Sequence, residues 1–494
     1  MINLKFPIEK ILRFLWAAAL LAIPVTSFRW FPLLSEGRTL VRPLAMYPLG
    51  FLLPLLLFQI WRKKISLNVG GAFIALGVFV LFVVTSVGLG FLTDPVPLYG
   101  QEYFGRTIRA LVTLFIGLVF FFSSAWMNKN EEDLRFSIKW IFAGLILNIA
   151  WSGLQAVTFY TDLLDREMVT RWQLAFSMRE LVRTNRISGL AFEPAWLAGQ
   201  LATIYIPFLF AAVLTNFRLT RHRWLEPILL ALSLLVLLAT YSRGGILTTV
   251  TAAGISFLFF GRDVLRSFWH WFIRGFRNRV SGMLLRIGMM AVVISALMGA
   301  LFFLSQKAIF RNLWEIDASS LSEYIIDINA GARGAYSAGA WTVYEKYPFM
   351  GSGLGTSGFY IYQNLPDWSL TTVPEIARQL SPENRLYPNP KNIYIRLFAE
   401  TGLIGFILYL AFQLHLLGDM LSLYTRSELW TRFAAIVGVF AWFGVAFYNF
   451  TQDSFATPNI WLVSGILVGL STSRVYPQTN QNTPSQEWRR TSNV

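Results

Sequence analysis

Long apolar runs, broken by short polar turns, set the rhythm of this chain. They lie near 12–28, 43–61, 69–92, 107–127, 137–159, 189–215, 225–241, 244–260, 282–304, 391–414, 432–450 and 457–472. Runs of about 18 or more apolar residues read as membrane-spanning helices. In hydrocarbon every backbone N–H and C=O must be paired within its own segment, so such runs become helices rather than open strands. Between the seventh and eighth runs stands Ser242-Arg243-Gly244-Gly245, an arginine and two glycines that predict a tight turn at the membrane surface. The pattern predicts an all-α polytopic membrane protein of about twelve transmembrane helices.

Composition agrees. Of 494 residues, 55% are hydrophobic and only 14% charged, against about a quarter charged in soluble domains. There are no cysteines, which excludes disulfides, thiolate metal sites and cysteine nucleophiles. The net charge of +15 fits Lys and Arg in cytoplasmic loops facing anionic lipid rather than nucleic acid. Lys5, Lys10 and Arg13 put the N-terminus in the cytoplasm. Inner loops then hold Arg62-Lys63-Lys64, Lys129 and Arg135, Arg218, Arg221 and Arg223, and the most basic set, Arg262 to Arg279. Twelve spans place both termini inside. The chain divides into spans 1–9 over 1–304, a periplasmic helical cap over 305–390, spans 10–12 over 391–472, and a polar cytoplasmic tail, 473–494, expected to be disordered. Within the cap, Ser319 to Tyr347 has helical spacing, with Ser319 or Ser320 as a cap, and Leu365 to Pro382 predicts a second short helix.

Four stretches carry candidate chemistry, all on the predicted outer side. Arg186 to Ala198 sets an arginine at the mouth of a span and Glu193 inside it, before Pro194. A charge within a span is costly and marks function unless an internal ion pair with a nearby arginine absorbs it. Thr240 to Gly245 presents Arg243, whose guanidinium either grips a phosphate in a two-pronged fork or snorkels to lipid head groups. Gly331-Ala332-Arg333-Gly334 is followed by Trp341, Tyr344 and Gly351-Ser352-Gly353-Leu354-Gly355. Glycine-rich turns can hold anions on backbone amides, but this one follows no strand, so a dinucleotide site is excluded. Asn389 to Gly405 puts Lys391, Asn392, Tyr394 and Arg396 at the outer end of a span, with Glu400 one turn deeper. Arg396 and Glu400, at i and i+4, either act on substrate or pair with each other. No His/Asp/Glu cluster has metal-ligand spacing.

Taken in order, these four stretches resemble the O-antigen ligase and polymerase superfamily of bacterial inner-membrane glycosyltransferases. The resemblance covers roughly residues 180–410. It implies transfer of a glycan from undecaprenyl diphosphate to an acceptor hydroxyl at the periplasmic face, with no metal and no cofactor. It implies that Arg186, Arg243 and Arg333 hold the diphosphate. Glu193, Lys391 and Glu400 become the candidate catalytic residues, and Asn392, Tyr394, Arg396, Trp341 and Tyr344 the candidates for glycan or acceptor contacts. Partners would be the lipid-linked oligosaccharide, membrane lipids, a flippase and a chain-length regulator, with no nucleic acid. Where the family often has His-Asn, this chain has Lys391-Asn392. A lysine near its normal pKa is a poor general base and a better anion clamp, so the base falls to Glu193 or Glu400, and polymerase ranks ahead of ligase. The rival from another class is a twelve-helix transporter or lipid-oligosaccharide flippase, which should show paired halves and a charged central cavity. A polyprenyl-type transferase with an acidic first outer loop is disfavoured, because loop 29–42 has Glu36 alone against three arginines.

Overall fold

The computed structural model describes residues 8–30, 41–63, 69–181, 184–278, 280–311, 320–328 and 330–473. A helix meets each predicted run: α1 (Ile8–Ala22), α2 (Met46–Trp61), α3 (Gly71–Gly90), α4 (Tyr103–Met127), α5 (Glu131–Tyr160), α6 (Pro194–Thr215), α7 (Leu225–Ala239), α8 (Arg243–Phe260), α9 (Val280–Ser305), α10 (Ile393–Tyr424), α11 (Leu429–Tyr448) and α12 (Pro458–Thr472). Among the described residues eight of these, α3–α6 and α8–α11, are both long and apolar enough to cross a membrane. The shorter α2, α7 and α12 are apolar too. Lys5, Glu36, Lys64, Arg183, Arg279, Glu315, Asp317 and the tail from 474 onward lie outside the described residues.

The loops sort to two ends of this helical body. At one end the Met178 N–H donates to the Ser27 carbonyl (3.2 Å), and the Tyr99 hydroxyl donates to that of Leu380 (2.7 Å). At the other, Arg13 pairs with Glu132 (3.0 Å), Arg135 donates to the Arg218 carbonyl (2.7 Å), and Arg426 donates to that of Ser471 (2.6 Å). The basic loops read as internal thus gather at one end, and the segments carrying candidate chemistry gather at the other.

Local sequence explains how several helices begin and bend. Asn130 caps α5 by accepting the Asp133 N–H (3.0 Å), and Glu131, Glu132 and Asp133 put negative charge on the first turn, where the helix dipole favours it. In α6, Pro207 has no N–H to return to the preceding turn, and the helix widens into a π-turn over Leu201–Tyr205. α6 is the most enclosed of the eight. It reaches α11 through small residues. A methyl group on Gly199 would stand 2.4 Å from the Tyr448 ring, and one on Gly444 would stand 3.0 Å from the Ala202 carbonyl.

α10 is broken inside its outer third. Gly402 has φ 64° and ψ −169°, backbone that only glycine adopts without strain. A Cβ there would stand 2.3 Å from the Phe349 carbonyl oxygen. Gly402→Ala should therefore lower the melting temperature in detergent by several degrees, a cost of about 1–3 kcal/mol from backbone strain alone. An unchanged melting curve would contradict this account of the kink.

The segment over 320–391 differs from its prediction. The single helix expected over Ser319–Tyr347 is two, Leu321–Asp327 and Gly331–Lys346. Ser320 caps the first by accepting the Glu323 N–H (3.2 Å), while Ser319 lies outside the described residues. The break falls where the Ala330 N–H reaches back to the Ile325 carbonyl (2.9 Å) and Gly331 abuts Val373, so that a Cβ would stand 2.8 Å from its side chain. The short helix expected over 365–382 is also two, Trp368–Thr372 and Pro374–Gln379, preceded by Ser357–Gln363.

Candidate active site

The first motif is held in place by polar residues on one face of α5. Gln155 accepts the N–H groups of Ser188 (3.1 Å) and Gly189 (2.9 Å), and Asn148 accepts that of Leu190 (2.9 Å). The Thr26 hydroxyl accepts the Phe192 N–H (2.9 Å). Residues 189–193 are therefore irregular rather than part of the predicted span, and α6 starts only at Pro194. Glu193 is the residue before that first turn, at the mouth of the helix instead of inside it. Its carboxylate pairs with Arg179 at 2.8 Å and remains partly open to solvent. The internal ion pair weighed from the sequence is thus formed, with an arginine in the loop 14 residues earlier.

Arg186 anchors the turn between α7 and α8. Its Nε–H donates to the Thr240 carbonyl (2.9 Å) and its Nη2 to that of Tyr241 (3.4 Å). Tyr241 has φ 47°, Ser242 caps α8 by accepting the Gly245 N–H (3.3 Å), and Arg243 is the first residue of the helix. Burial lowers the pKa of the Arg186 guanidinium, Glu193 opposes this, and Arg179 and Arg243 add to it; arginine stays protonated all the same. Arg243 donates to the Ile328 carbonyl and lies within electrostatic range of Arg333. Arg333 donates to the Thr451 carbonyl at 2.6 Å. Thr451 also packs on Gly244, where a Cβ would come 3.4 Å from its methyl group. Tyr448, at the end of α11, lies within electrostatic range of Glu193, Arg333 and Asp453. The structure thus brings Arg186, Glu193, Arg243 and Arg333 together, and adds Arg179, which the sequence did not single out.

The third and fourth motifs join each other. The Gly353 N–H donates to the Glu400 carbonyl (2.9 Å), the Gly355 N–H to the Glu400 carboxylate (2.7 Å), and the Ser357 hydroxyl to its other oxygen (2.7 Å). Arg396 Nε donates to the same carboxylate at 2.8 Å, and Arg396 Nη1 to the Asp453 carbonyl at 2.6 Å. Both side chains are buried. One amide of the glycine-rich turn, that of Gly355, does hold an anion, but that anion is Glu400 of the same chain.

Lys391 reaches the other way. Its Nζ pairs with Glu375 at 3.0 Å, and its backbone N–H donates to the Asp453 carboxylate at 2.9 Å. Burial pushes the Glu375 carboxyl up, but the charge and hydrogen bond of Lys391 outweigh it and hold it below its ordinary value. Asn392 caps α10, accepting the N–H groups of Tyr394 (2.9 Å) and Ile395 (3.2 Å). The Tyr394 hydroxyl donates to the Ala446 carbonyl (2.8 Å) and its ring packs on Phe450. Trp341 and Tyr344 pack tilted on each other (ring centres 4.9 Å apart) and edge-to-face on Phe398 at 5.7 and 5.1 Å. Asn392 and Tyr394 are therefore engaged in shaping α10, whereas Trp341 keeps an exposed face.

Sequence reasoning missed Arg179, Asp453 and the α5 residues Asn148 and Gln155. The last two did leave a signal: polar side chains seven residues apart on one face of a span, where lipid would not tolerate them. Asp453 sits in the short turn between α11 and α12, which has no motif of its own.

Comparison with known proteins gives one result that bears on this site. Residues 228–410 match the family profile described as O-Antigen ligase. No curated protein matches the chain. The matched stretch contains Arg243, Arg333, the glycine-rich turn and Lys391 to Gly405, and leaves out Arg186 and Glu193. The match over 228–410 supports the O-antigen ligase and polymerase superfamily as the place of this chain, and with it membrane glycosyl transfer as its chemistry.

Proposed function

We propose that the protein is a polymerase-type glycosyltransferase of the periplasmic face of the inner membrane. It moves a glycan from undecaprenyl diphosphate to a sugar hydroxyl of another lipid-linked repeat unit, building a surface polysaccharide. The observation that carries this reading is a run of arginines at one end of the helical body: Arg179 pairs with the partly exposed Glu193, Arg186 lies within electrostatic range of Glu193, Arg179 and Arg243, and Arg243 within that of Arg333.

The chemistry suits that set. The acceptor oxygen attacks the sugar carbon, the bond from that carbon to the diphosphate oxygen breaks, and its electron pair leaves with the diphosphate. Fixed guanidinium groups stabilise the charge that develops there, and their planar forks match phosphate oxygens. Glu193 takes the acceptor's proton as the new bond forms. Lys391, bound to Glu375, serves as an anion clamp at the edge of the site. Glu400 and Arg396 position the glycine-rich turn rather than touch substrate, and the exposed ring of Trp341 offers a stacking face for a sugar.

Transfer to a different acceptor, as a ligase performs, is the second reading, favoured by the family description itself. Purified protein given a synthetic undecaprenyl-diphosphate oligosaccharide as sole substrate separates the two. A ladder of extended lipid-linked products is expected. A single transfer product seen only when a non-lipid-diphosphate acceptor is added would establish the ligase reading instead.

A further inference from the structure

Between α8 and α9 the chain forms a helix, Arg262–Asn278, that belongs to neither the bundle nor the candidate active site. It has 17 residues, about 26 Å at 1.5 Å per residue. α8 ends at Phe260 and α9 starts at Val280, and both are long and apolar enough to cross a membrane. A helix joining the same-side ends of two spans has to run along the membrane surface. Its start is fixed there, with Asp263 paired to Arg432 at 2.9 Å near the start of α11, and with Phe260, the last residue of α8, packed on Tyr424 with ring centres 4.9 Å apart. Farther along, Arg286 of α9 donates to the Trp271 carbonyl and lies over its ring at 4.7 Å.

The two faces of this helix differ sharply. At 100° per residue, Val264, Leu265, Phe268, Trp269 and Phe272 fall on one side, and Arg266, Ser267, His270 and Arg274 on the other. Leu265, Phe268 and Trp269 are exposed, so the helical body does not cover the apolar side. The segment's one acid, Asp263, is already paired with Arg432, which leaves the polar side cationic. An apolar side set against a basic one, with aromatic rings between, is the pattern of a helix lying in the lipid interface. We propose that Arg262–Asn278 is an in-plane helix that binds anionic phospholipid at the membrane surface opposite the candidate active site. Phe268 and Phe272 sink below the head groups, and Arg262, Arg266 and Arg274 hold the phosphates. This surface is independent of the glycosyl-transfer reading.

The absence of cysteine from the chain makes the test direct. Phe268→Cys, Leu265→Cys, Ser267→Cys and His270→Cys would each be spin-labelled in the full-length protein, reconstituted in vesicles of phosphatidylglycerol and phosphatidylcholine. Labels at 265 and 268 should collide with oxygen and be shielded from a water-soluble nickel complex, and labels at 267 and 270 should show the reverse. Phosphatidylglycerol retained by the purified protein should fall about tenfold or more in an R262Q/R266Q/R274Q variant, with phosphatidylcholine unchanged. Equal nickel access at all four positions would overturn the proposal. So would spin–spin broadening at 268, which would make a second copy the occupant, or unchanged phosphatidylglycerol retention in the triple variant.

Discussion

Arg243→Ala is expected to lower turnover of a lipid-diphosphate oligosaccharide about 100- to 1000-fold, the loss seen when one fixed donor to a developing negative charge is removed. The loss should fall mainly on kcat, because the diphosphate gains charge as the sugar–oxygen bond breaks and an interaction that strengthens only then leaves KM little changed. Arg243→Lys is the sharper variant. It keeps the positive charge but loses the planar fork, and at a bidentate site that exchange is not conservative. Partial recovery with lysine would therefore mean that Arg243 acts as a point charge. Arg186→Ala should be similarly inactive, with an added structural cost, since Arg186 also ties down the Thr240 and Tyr241 carbonyls. Arg186→Lys and a melting curve for each variant separate the two contributions. Wild-type turnover in Arg243→Ala would remove the clamp from the mechanism.

The second large effect is on stability rather than chemistry. Glu400→Ala strips the partner from buried Arg396 and leaves the Gly355 N–H and the Ser357 hydroxyl without their acceptor. Breaking one side of a buried ion pair costs about 3–5 kcal/mol, so the variant should melt far below the wild type or fail to accumulate. Replacing both partners by apolar residues of similar size, Arg396→Met with Glu400→Leu, should recover part of the loss, because no uncompensated charge is then buried. A Glu400→Ala protein that melts like the wild type but has lost turnover would return Glu400 to the candidate catalytic residues.

What was legible in the sequence follows physical range. The helices were legible because a span is a local property: an apolar run needs no partner to declare itself. The motif arginines were legible because they stand on the predicted outer side, beside glycines, prolines and acids, where the basic bias of inner loops does not account for them. Pairings across the fold were not. Glu193 meets Arg179 through an irregular loop with no fixed spacing, and Glu400 meets Gly355 across 45 residues that include the last part of the cap. The i, i+4 relation of Arg396 and Glu400 showed that they can pair, but not that the glycine-rich turn closes over the same carboxylate. The break between Leu321–Asp327 and Gly331–Lys346 was missed because helical spacing runs straight across it. Gly331 was the signal, and its meaning depends on Val373, some forty residues on.

Arg186, Arg243 and Arg333 share a detail that bears on how tightly a diphosphate can be held. Each already donates to a backbone carbonyl, of Thr240 and Tyr241, of Ile328, and of Thr451 respectively. A free arginine carries about 2 kcal/mol of rotamer entropy that a ligand must ordinarily freeze. Here the fold has frozen three of them in advance, using neutral acceptors weaker than phosphate. Under the proposed function, a diphosphate would meet a preset template, and more of its binding energy would remain for the moment the bond to the sugar breaks.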